Sequence, residues 1–396
     1  MASFTKTEIQ EATGASVAVS GEKTLFSGVE TDTRVIGRDA LFVALKGERF
    51  DGHDFVGKAV QQGAAGVIVS EMRDEYREYG IAVFVADDTL KAYQALARFH
   101  RRRFSIPVVA VTGSVGKTST RNMIASVLSQ KYDVLQTEKN FNNEIGLPRT
   151  LLQLTERHEA CVVEMGMRGL GQIAELAAIA EPTIGVVTNV GKSHIELLGS
   201  QENIAKAKSE LVLALDEKGT AVLNADDSFV APMAALCRGS VLTYGTEAGD
   251  DIWAEQIAVS EQGVTFTCHC GSDVFAAQIP AISRHHAYNG LAAAAVGCLT
   301  GLSAEEIRRG LAAYKGVPMR EELISLAPYT FINDAYNAKC DVIQIRPIKP
   351  VGAAIRAAAQ ASGQSLQSYI VEACADRMRR EGQPLEVNAP NDPDPL

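Results

Sequence analysis

One stretch constrains this chain more than any other. Val108 to Val111 is a short, mostly β-branched apolar strand that runs into a glycine turn and then into a helix. In the helical segment Arg121 to Gln130, Met123, Ile124, Val127 and Leu128 recur at helical spacing. Strand, glycine turn, lysine, threonine and helix in that order make a phosphate cradle. Gly113 and Gly116 let the backbone of Gly113, Ser114, Val115 and Gly116 approach an anion, and the N–H groups at the start of the helix, Lys117 to Ser119, point at it. Lys117 adds a point charge, and the Thr118 hydroxyl can ligate Mg²⁺. The strict eight-residue form of this loop has a glycine where Val111 stands, so this is a shortened variant. A glycine turn between strand and helix is common, but Lys117 and Thr118 at the helix start point to nucleotide binding.

The 396 residues suffice for two or three domains, each with its own core. A net charge of −10 argues against a general nucleic-acid binder. No apolar run reaches the roughly 18 residues of a membrane span, and the first residues do not read as a signal peptide. Seven cysteines scattered over so long a chain suggest reduced thiols and a cytoplasmic protein. The one cluster, Cys268, His269 and Cys270, sits in an alternating strand pattern that explains it without a metal.

Residues 1–105 read as a small α/β domain. Ala40 to Leu45, Gly66 to Ser70 and Ile81 to Val85 are short buried strands, and Asp54 to Gln62 and Thr89 to Arg103 have helical patterns. Before the first of these strands lies a polar loop, Thr31, Asp32, Thr33 and Arg34, able to hold a sugar or phosphate. The run Lys46 to Phe55 is too polar and glycine-rich to be core, and reads as a working loop.

Residues 106–317 alternate strands and helices, which implies a doubly wound, mostly parallel sheet. Ala160 to Val163 ends at Glu164, and Thr183 to Val190 leads to His194. Ligands of such sheets sit outside the carboxyl ends of the strands, so Lys117, Thr118, Glu164 and His194 should meet at one edge. Hydroxyl, carboxylate and imidazole there would make a Mg²⁺ shell. Glu202 to Leu215 is amphipathic and carries Lys206 and Lys208, for which helical periodicity alone offers only solvated lysines. Val241 to Ile279 is β-rich, Ser283 to Gly290 precedes the alanine-rich helix Leu291 to Leu299, and Ser303 with Glu306 forms a capping box.

Taken together, these segments resemble the Mur ligase family. Thr112 to Thr118 looks like its short P-loop, Asn140 to Pro148 like the asparagine-rich segment after the P-loop helix, and Val163 to Gly166 like its metal-binding glutamate motif. Asn189 to Glu196 resembles the segment bearing the metal-binding His194, and Ala205 to Glu210 the stretch whose lysine becomes carbamylated, here Lys208. Arg284 to Asn289 resembles the adenine-contacting helix start, with Asn289 as the matching residue. Val317 to Arg320 and Asn333 to Asn337 look like the hinge arginine, Arg320, and the nucleotide-contacting Asp334 that open a third domain. Thr31 to Phe55 matches the part that holds the UDP end of the substrate.

The resemblance covers about residues 25–338. It implies ATP and Mg²⁺ as cofactors, Lys117, Lys208 and His194 as catalytic groups, and Thr118, Glu164, His194 and carbamylated Lys208 around the metal. Thr31, Asp32, Thr33, Arg34, Asn142 and Asn143 would bind the substrate. The pattern is nearest to members that join UDP-N-acetylmuramoyl-tripeptide to D-alanyl-D-alanine through an acyl phosphate, building the peptidoglycan precursor.

After Ala338 the family pattern stops. Residues 318–340 read as a remnant of the third domain, 341–381 resemble a ribbon-helix-helix module that dimerises and binds DNA, and 382–396 read as a disordered tail. From Asp341 to Arg380 six Lys or Arg stand against three Asp or Glu, a local excess of positive charge in an acidic chain. Three readings therefore stay open: a ligase with an impaired third lobe, a nucleotide or UDP-sugar sensor carrying a DNA-binding dimeriser, and a relative that adds another amino acid, such as a folylpolyglutamate-type ligase.

Overall fold

A computed structural model describes residues 2–47, 50–193, 195–260 and 262–317, with the backbone of 322–326 and 329–333. Residues 1–315 form one compact unit and 316–396 another. In the second, the described strands Glu322–Leu326 and Tyr329–Asn333 pair antiparallel. The ribbon-helix-helix reading of 341–381, the tail, and the site residues His194, Arg320 and Asp334 lie outside the described residues.

The chain opens with β1 (Ser3–Thr5) and helix α1 (Lys6–Thr13), which begins at a capping box between Thr5 and Glu8. Strands β2 (Ser16–Val19), β3 (Leu25–Ser27), β4 (Val29–Glu30) and β5 (Ala40–Val43) follow, then helix α2 (Val56–Gln61), β6 (Ala64–Val69), β7 (Ala82–Val85) and helix α3 (Thr89–Arg101). Five of these strands make a sheet in the order β2-β7-β6-β5-β4, parallel except for the β2–β7 pair, while β1 pairs with β3 alone. Asp54 does not start a helix, because Gly52–Phe55 is a 3-10 turn capped by Asp51.

The second sheet holds β8 (Val108–Thr112), β9 (Val134–Gln136), β10 (Ala160–Glu164), β11 (Ile184–Val187), β12 (Thr220–Asn224), β13 (Ser240–Gly245), β14 (Ile252–Ser260), β15 (Gly263–Cys270) and β16 (Asp273–Ile279). Its order is β16-β15-β14-β13-β12-β11-β8-β10-β9. From β9 to β14 the pairs are parallel; β15 and β16 extend the same sheet antiparallel. The β-rich piece after Val241 is therefore part of the central sheet. Strand β8 lies between β10 and β11, where the winding reverses, and alternate residues serve opposite faces: Val108 and Ala110 join one core, Val109 and Val111 the other.

Helices cover both faces. Helix α4 (Lys117–Leu128) follows the glycine turn; α5 (Gly146–Leu151), α6 (Gln172–Ala180), α7 (Ile195–Leu198) and α8 (Gln201–Leu213) come next, then α9 (His285–Leu299) and α10 (Ala304–Ala312). Leu147, Ile173, Ile204 and Leu211 pack on one side; Met123, Leu291, Ile307 and Leu311 pack on the other.

The sulfurs of Cys270 and Cys298 meet between β15 and α9. Alternation along β15 sends Cys268 and Cys270 inward against α9, whereas His269 turns outward and stacks on Trp253 at 3.6 Å. Among the described residues no helix is long and apolar enough to cross a membrane.

Helix α10 crosses α4 so closely that a Cβ on Gly310 would lie 2.4 Å from the Val127 Cα, and the Gly310 carbonyl accepts the Ser126 hydroxyl at 2.7 Å. Alanine would gain about 1 kcal/mol of helix propensity, but overpacking against backbone costs about 1–3 kcal/mol. Gly310→Ala should therefore lower the thermal midpoint. An unchanged or raised midpoint would show that the two helices separate freely.

Candidate active site

The register of the central sheet brings the predicted groups together. Glu164 pairs with Val111 and Val187 with Thr112, so β10, β8 and β11 end side by side. Helix α4 begins one turn beyond β8, at Lys117.

Glu164 is 2% exposed, and a carboxylate so buried needs hydrogen-bond partners. Its Oε2 accepts the Thr118 hydroxyl at 2.9 Å and Arg121 Nη1 at 3.2 Å; its Oε1 accepts the Asn142 amide at 2.7 Å. Gly166 N–H donates to the Asn142 carbonyl, and a Cβ at Gly166 would meet the Asn142 amide at 3.0 Å, so the glutamate motif needs glycine there. Asn142 thus reaches the carboxylate at the end of β10, while Asn143 caps the turn into α5, its Oδ1 accepting Gly146 N–H at 2.9 Å.

The glycine loop is pinned from β11. Ser114 N–H donates to the Asn189 carbonyl at 3.0 Å, Val115 N–H to Asn189 Oδ1 at 3.0 Å, and the Thr188 hydroxyl to the Val115 carbonyl at 2.9 Å. A Cβ on Gly113 would overlap Thr188 Oγ1, which requires glycine there. Gly116 has φ +79° and backs onto Asn289, whose Oδ1 accepts the Thr120 hydroxyl at 3.1 Å. Asn289 therefore holds the turn from behind. Lys117 Nζ donates to the Gly113 carbonyl at 2.8 Å, folded over the loop that would wrap a phosphate. Ser119, one residue past Thr118, is buried in the first turn of α4.

The two lysines of α8 separate. Lys206 is exposed and Lys208 is 2% exposed. Among the described residues no hydrogen bond or ion pair reaches the Lys208 ammonium. Burial, and next the charge of Lys117, hold it down to about 7.

The first-sheet loop is organised around its own ion pair. Asp32 caps the turn Thr33–Val35 and takes Arg34 Nη2 at 2.6 Å, which holds its carboxyl down to about 2. Thr33 is buried, Thr31 half-buried and Arg34 exposed. On α5, the guanidinium of Arg149 lies 4.8 Å from the Phe141 ring, and its charge acts on both Glu30 and Asp32. The run Lys46 to Phe55 is anchored by buried His53, whose Nδ1 meets Asp51 at 2.6 Å and whose Nε2 accepts Ser70 N–H at 2.9 Å.

Motif reading gives no role to two residues that the geometry uses. Arg121 passes for an ordinary helix residue, and only its ion pair with Glu164 reveals a role. Asn189 signals itself only by sitting at the end of β11 beside the loop.

Models of known families match this chain twice: the Mur ligase family, catalytic domain, over residues 25–101, and the Mur ligase middle domain over 111–297. The UDP-N-acetylmuramoyl-tripeptide--D-alanyl-D-alanine ligase of Bacillus subtilis (strain 168) is 41% identical over 318 residues, 80% of this chain and 68% of that protein. The chain belongs to the Mur ligase family. The like-named ligase of Synechocystis is 43% identical over 75% of this chain and 63% of its own length, so the chain spans about two thirds of these relatives. Among solved structures, MurF from Acinetobacter baumannii superposes with a TM-score of 0.80 at 31% identity, covering 92% of this chain and 77% of its own. MurF ligase from Thermotoga maritima in complex with ADP gives 0.70 at 29% identity, over 78% and 71%. The family's α/β architecture is the one described above.

Burial of Lys208 also has a consequence for stability. Between pH 7 and 10.5 the unfolded chain carries a proton there that the folded chain has lost, so this group's contribution rises with pH across that window. Below pH 7 its penalty is full and constant. Relative to Lys208→Met in CO₂-free buffer, the wild type should gain stability from pH 7 to 10 in urea titrations. Parallel curves would contradict a buried, depressed ammonium.

Proposed function

We propose that this chain forms an amide bond at the expense of ATP, adding D-alanyl-D-alanine to UDP-N-acetylmuramoyl-tripeptide through an acyl phosphate, in cytoplasmic peptidoglycan precursor synthesis. The observation that carries this reading is the convergence of the glycine loop, Lys117, Thr118 and Glu164 at one sheet edge, in a chain 41% identical to a ligase named for that reaction.

The donors fit a hard cation. The Thr118 hydroxyl and the Glu164 carboxylate are oxygen ligands of the kind Mg²⁺ takes, with His194 added by the family resemblance. Bound there, Mg²⁺ would neutralise charge on the terminal phosphate. The protein's own task follows from the first step, in which a substrate carboxylate attacks a phosphate and two anions must meet. Lys117 supplies fixed positive charge over the loop, and backbone N–H groups at the start of α4 hold the phosphates. Gly113 and Gly116 keep side chains out of their way. The dipeptide amine then displaces phosphate and closes the amide. Thr31 to Arg34 would hold the UDP end, and Asn142 and Asn143 the muramoyl side. Asn289, Arg320 and Asp334 would complete the nucleotide site.

Carbamylation of Lys208 belongs to the same proposal. Only a neutral amine adds CO₂, and burial keeps a neutral fraction of this one near pH 7. The carbamate would convert an uncompensated buried cation into an anionic metal ligand. Neither DNA binding nor self-dimerisation enters the proposal, because no described residue supports them.

The test is ADP release by the purified chain with ATP, Mg²⁺ and UDP-N-acetylmuramoyl-tripeptide, with and without D-alanyl-D-alanine. Release that requires both substrates is expected, and Lys117→Ala and Lys208→Ala should each reduce it by about a hundredfold or more. ADP release independent of the dipeptide would overturn the assignment of the acceptor. A Lys208→Ala variant with near-normal turnover would remove the carbamate from the mechanism.

A further inference from the structure

We infer that Arg121 is a positioning residue whose guanidinium and a bound divalent cation are interchangeable counter-charges for Glu164. The inference rests on the reading of Glu164 as a metal ligand and goes beyond it, to what compensates and aims that carboxylate.

Arg121 sits on the second turn of α4, one helical turn beyond Lys117, and is 4% exposed. Its Nη1 lies 3.2 Å from Glu164 Oε2, the same oxygen that accepts the Thr118 hydroxyl. The rest of the fork is held by the protein itself: Nη1 also donates to the Lys139 carbonyl at 3.1 Å, and Nε and Nη2 donate to Asn122 Oδ1 at 2.9 and 2.6 Å. The guanidinium is therefore fixed in orientation independently of Glu164.

Such a pair has two faces. A buried carboxylate stripped of its counter-ion is strongly destabilising, so Arg121 compensates Glu164 inside the sheet edge. A cation that binds Oε2 at the roughly 2.0–2.1 Å of a Mg²⁺ ligand supplies the same charge more closely, and must compete with the arginine for that oxygen. Arg121 therefore stabilises the fold while it weakens the metal's hold. Removing it should make the fold depend on the metal.

Thermal unfolding without nucleotide reads this out directly. Arg121→Met should lower the midpoint by about 5 °C or more, and millimolar Mg²⁺ alone should recover most of the loss while moving the wild type by much less. The double variant Arg121→Met with Glu164→Gln should regain stability over Arg121→Met, since no buried charge is then orphaned. Arg121→Lys, which keeps the charge without the fork, should fall between wild type and Arg121→Met in its response to Mg²⁺. It serves as the test if the methionine variant does not fold. Equal Mg²⁺ shifts in all variants, or a double variant no more stable than Arg121→Met, would overturn the exchange and leave Arg121 acting only through Lys139 and Asn122. Calorimetry of Mg²⁺ and ATP on the wild type separates the two claims. If the wild type binds the pair and the stability pattern is absent, only the exchange fails; if it binds neither, the site reading fails with it.

Discussion

A single carboxylate, buried at the end of an interior strand, sets the terms for the rest of this structure. Glu164 ends β10 with 2% exposure, and a charge so placed needs partners from elsewhere in the chain. They come from Thr118 and Arg121 on α4 and from Asn142 in the segment leading to α5, while the Glu164 N–H donates to Thr137 Oγ1. Satisfying that one group therefore draws α4 and the asparagine segment onto the same sheet edge.

The electrostatics around it are unbalanced in a useful direction. Arg121 pairs with Glu164, and Lys117 acts on the ammonium of Lys208, in a chain whose overall charge is −10. Burial first, and then the charge of Lys117, depress the ammonium of Lys208. On the proposed function, phosphates and carboxylates entering this edge would meet that positive charge. A site built to bring two anions together needs such an excess, held by the scaffold so that little reorganisation accompanies the reaction. Farther along, Arg149 carries the positive field toward Asp32 and Glu30, so the segment that places Asn142 also faces the loop expected to hold the UDP end.

Much of this was legible in the residues. The β-branched run before Gly113 and the helical spacing after Lys117 announced β8 and α4, because both follow from local periodicity and glycine freedom. The capping box at Ser303 lay where it was read, since its partners are three residues apart. The first strands, β1 to β4, were missed because they are short and partly exposed, with too few residues to show a period. The approach of Cys270 and Cys298 escaped for another reason, as they lie 28 residues apart on a strand and a helix whose packing no local pattern reports. Lys206 and Lys208 could not be told apart by spacing. Resemblance singled out Lys208, and its burial on α8 gave the physical ground.

By itself the sequence determined the identity of the chemical groups and the local turns that present them: a glycine loop that only a strand-to-helix junction can use, a threonine and lysine at the helix start, and a glutamate at a strand end. Tertiary structure alone decided which of these meet. Strand order placed β8 between β10 and β11, and the register set Glu164 opposite Val111. It also turned Arg121, an unremarkable helix residue, into the partner of a carboxylate 43 positions away. Local composition fixes what a side chain can donate or accept, whereas the partner it reaches depends on pairing between distant strands, which no short window of sequence contains.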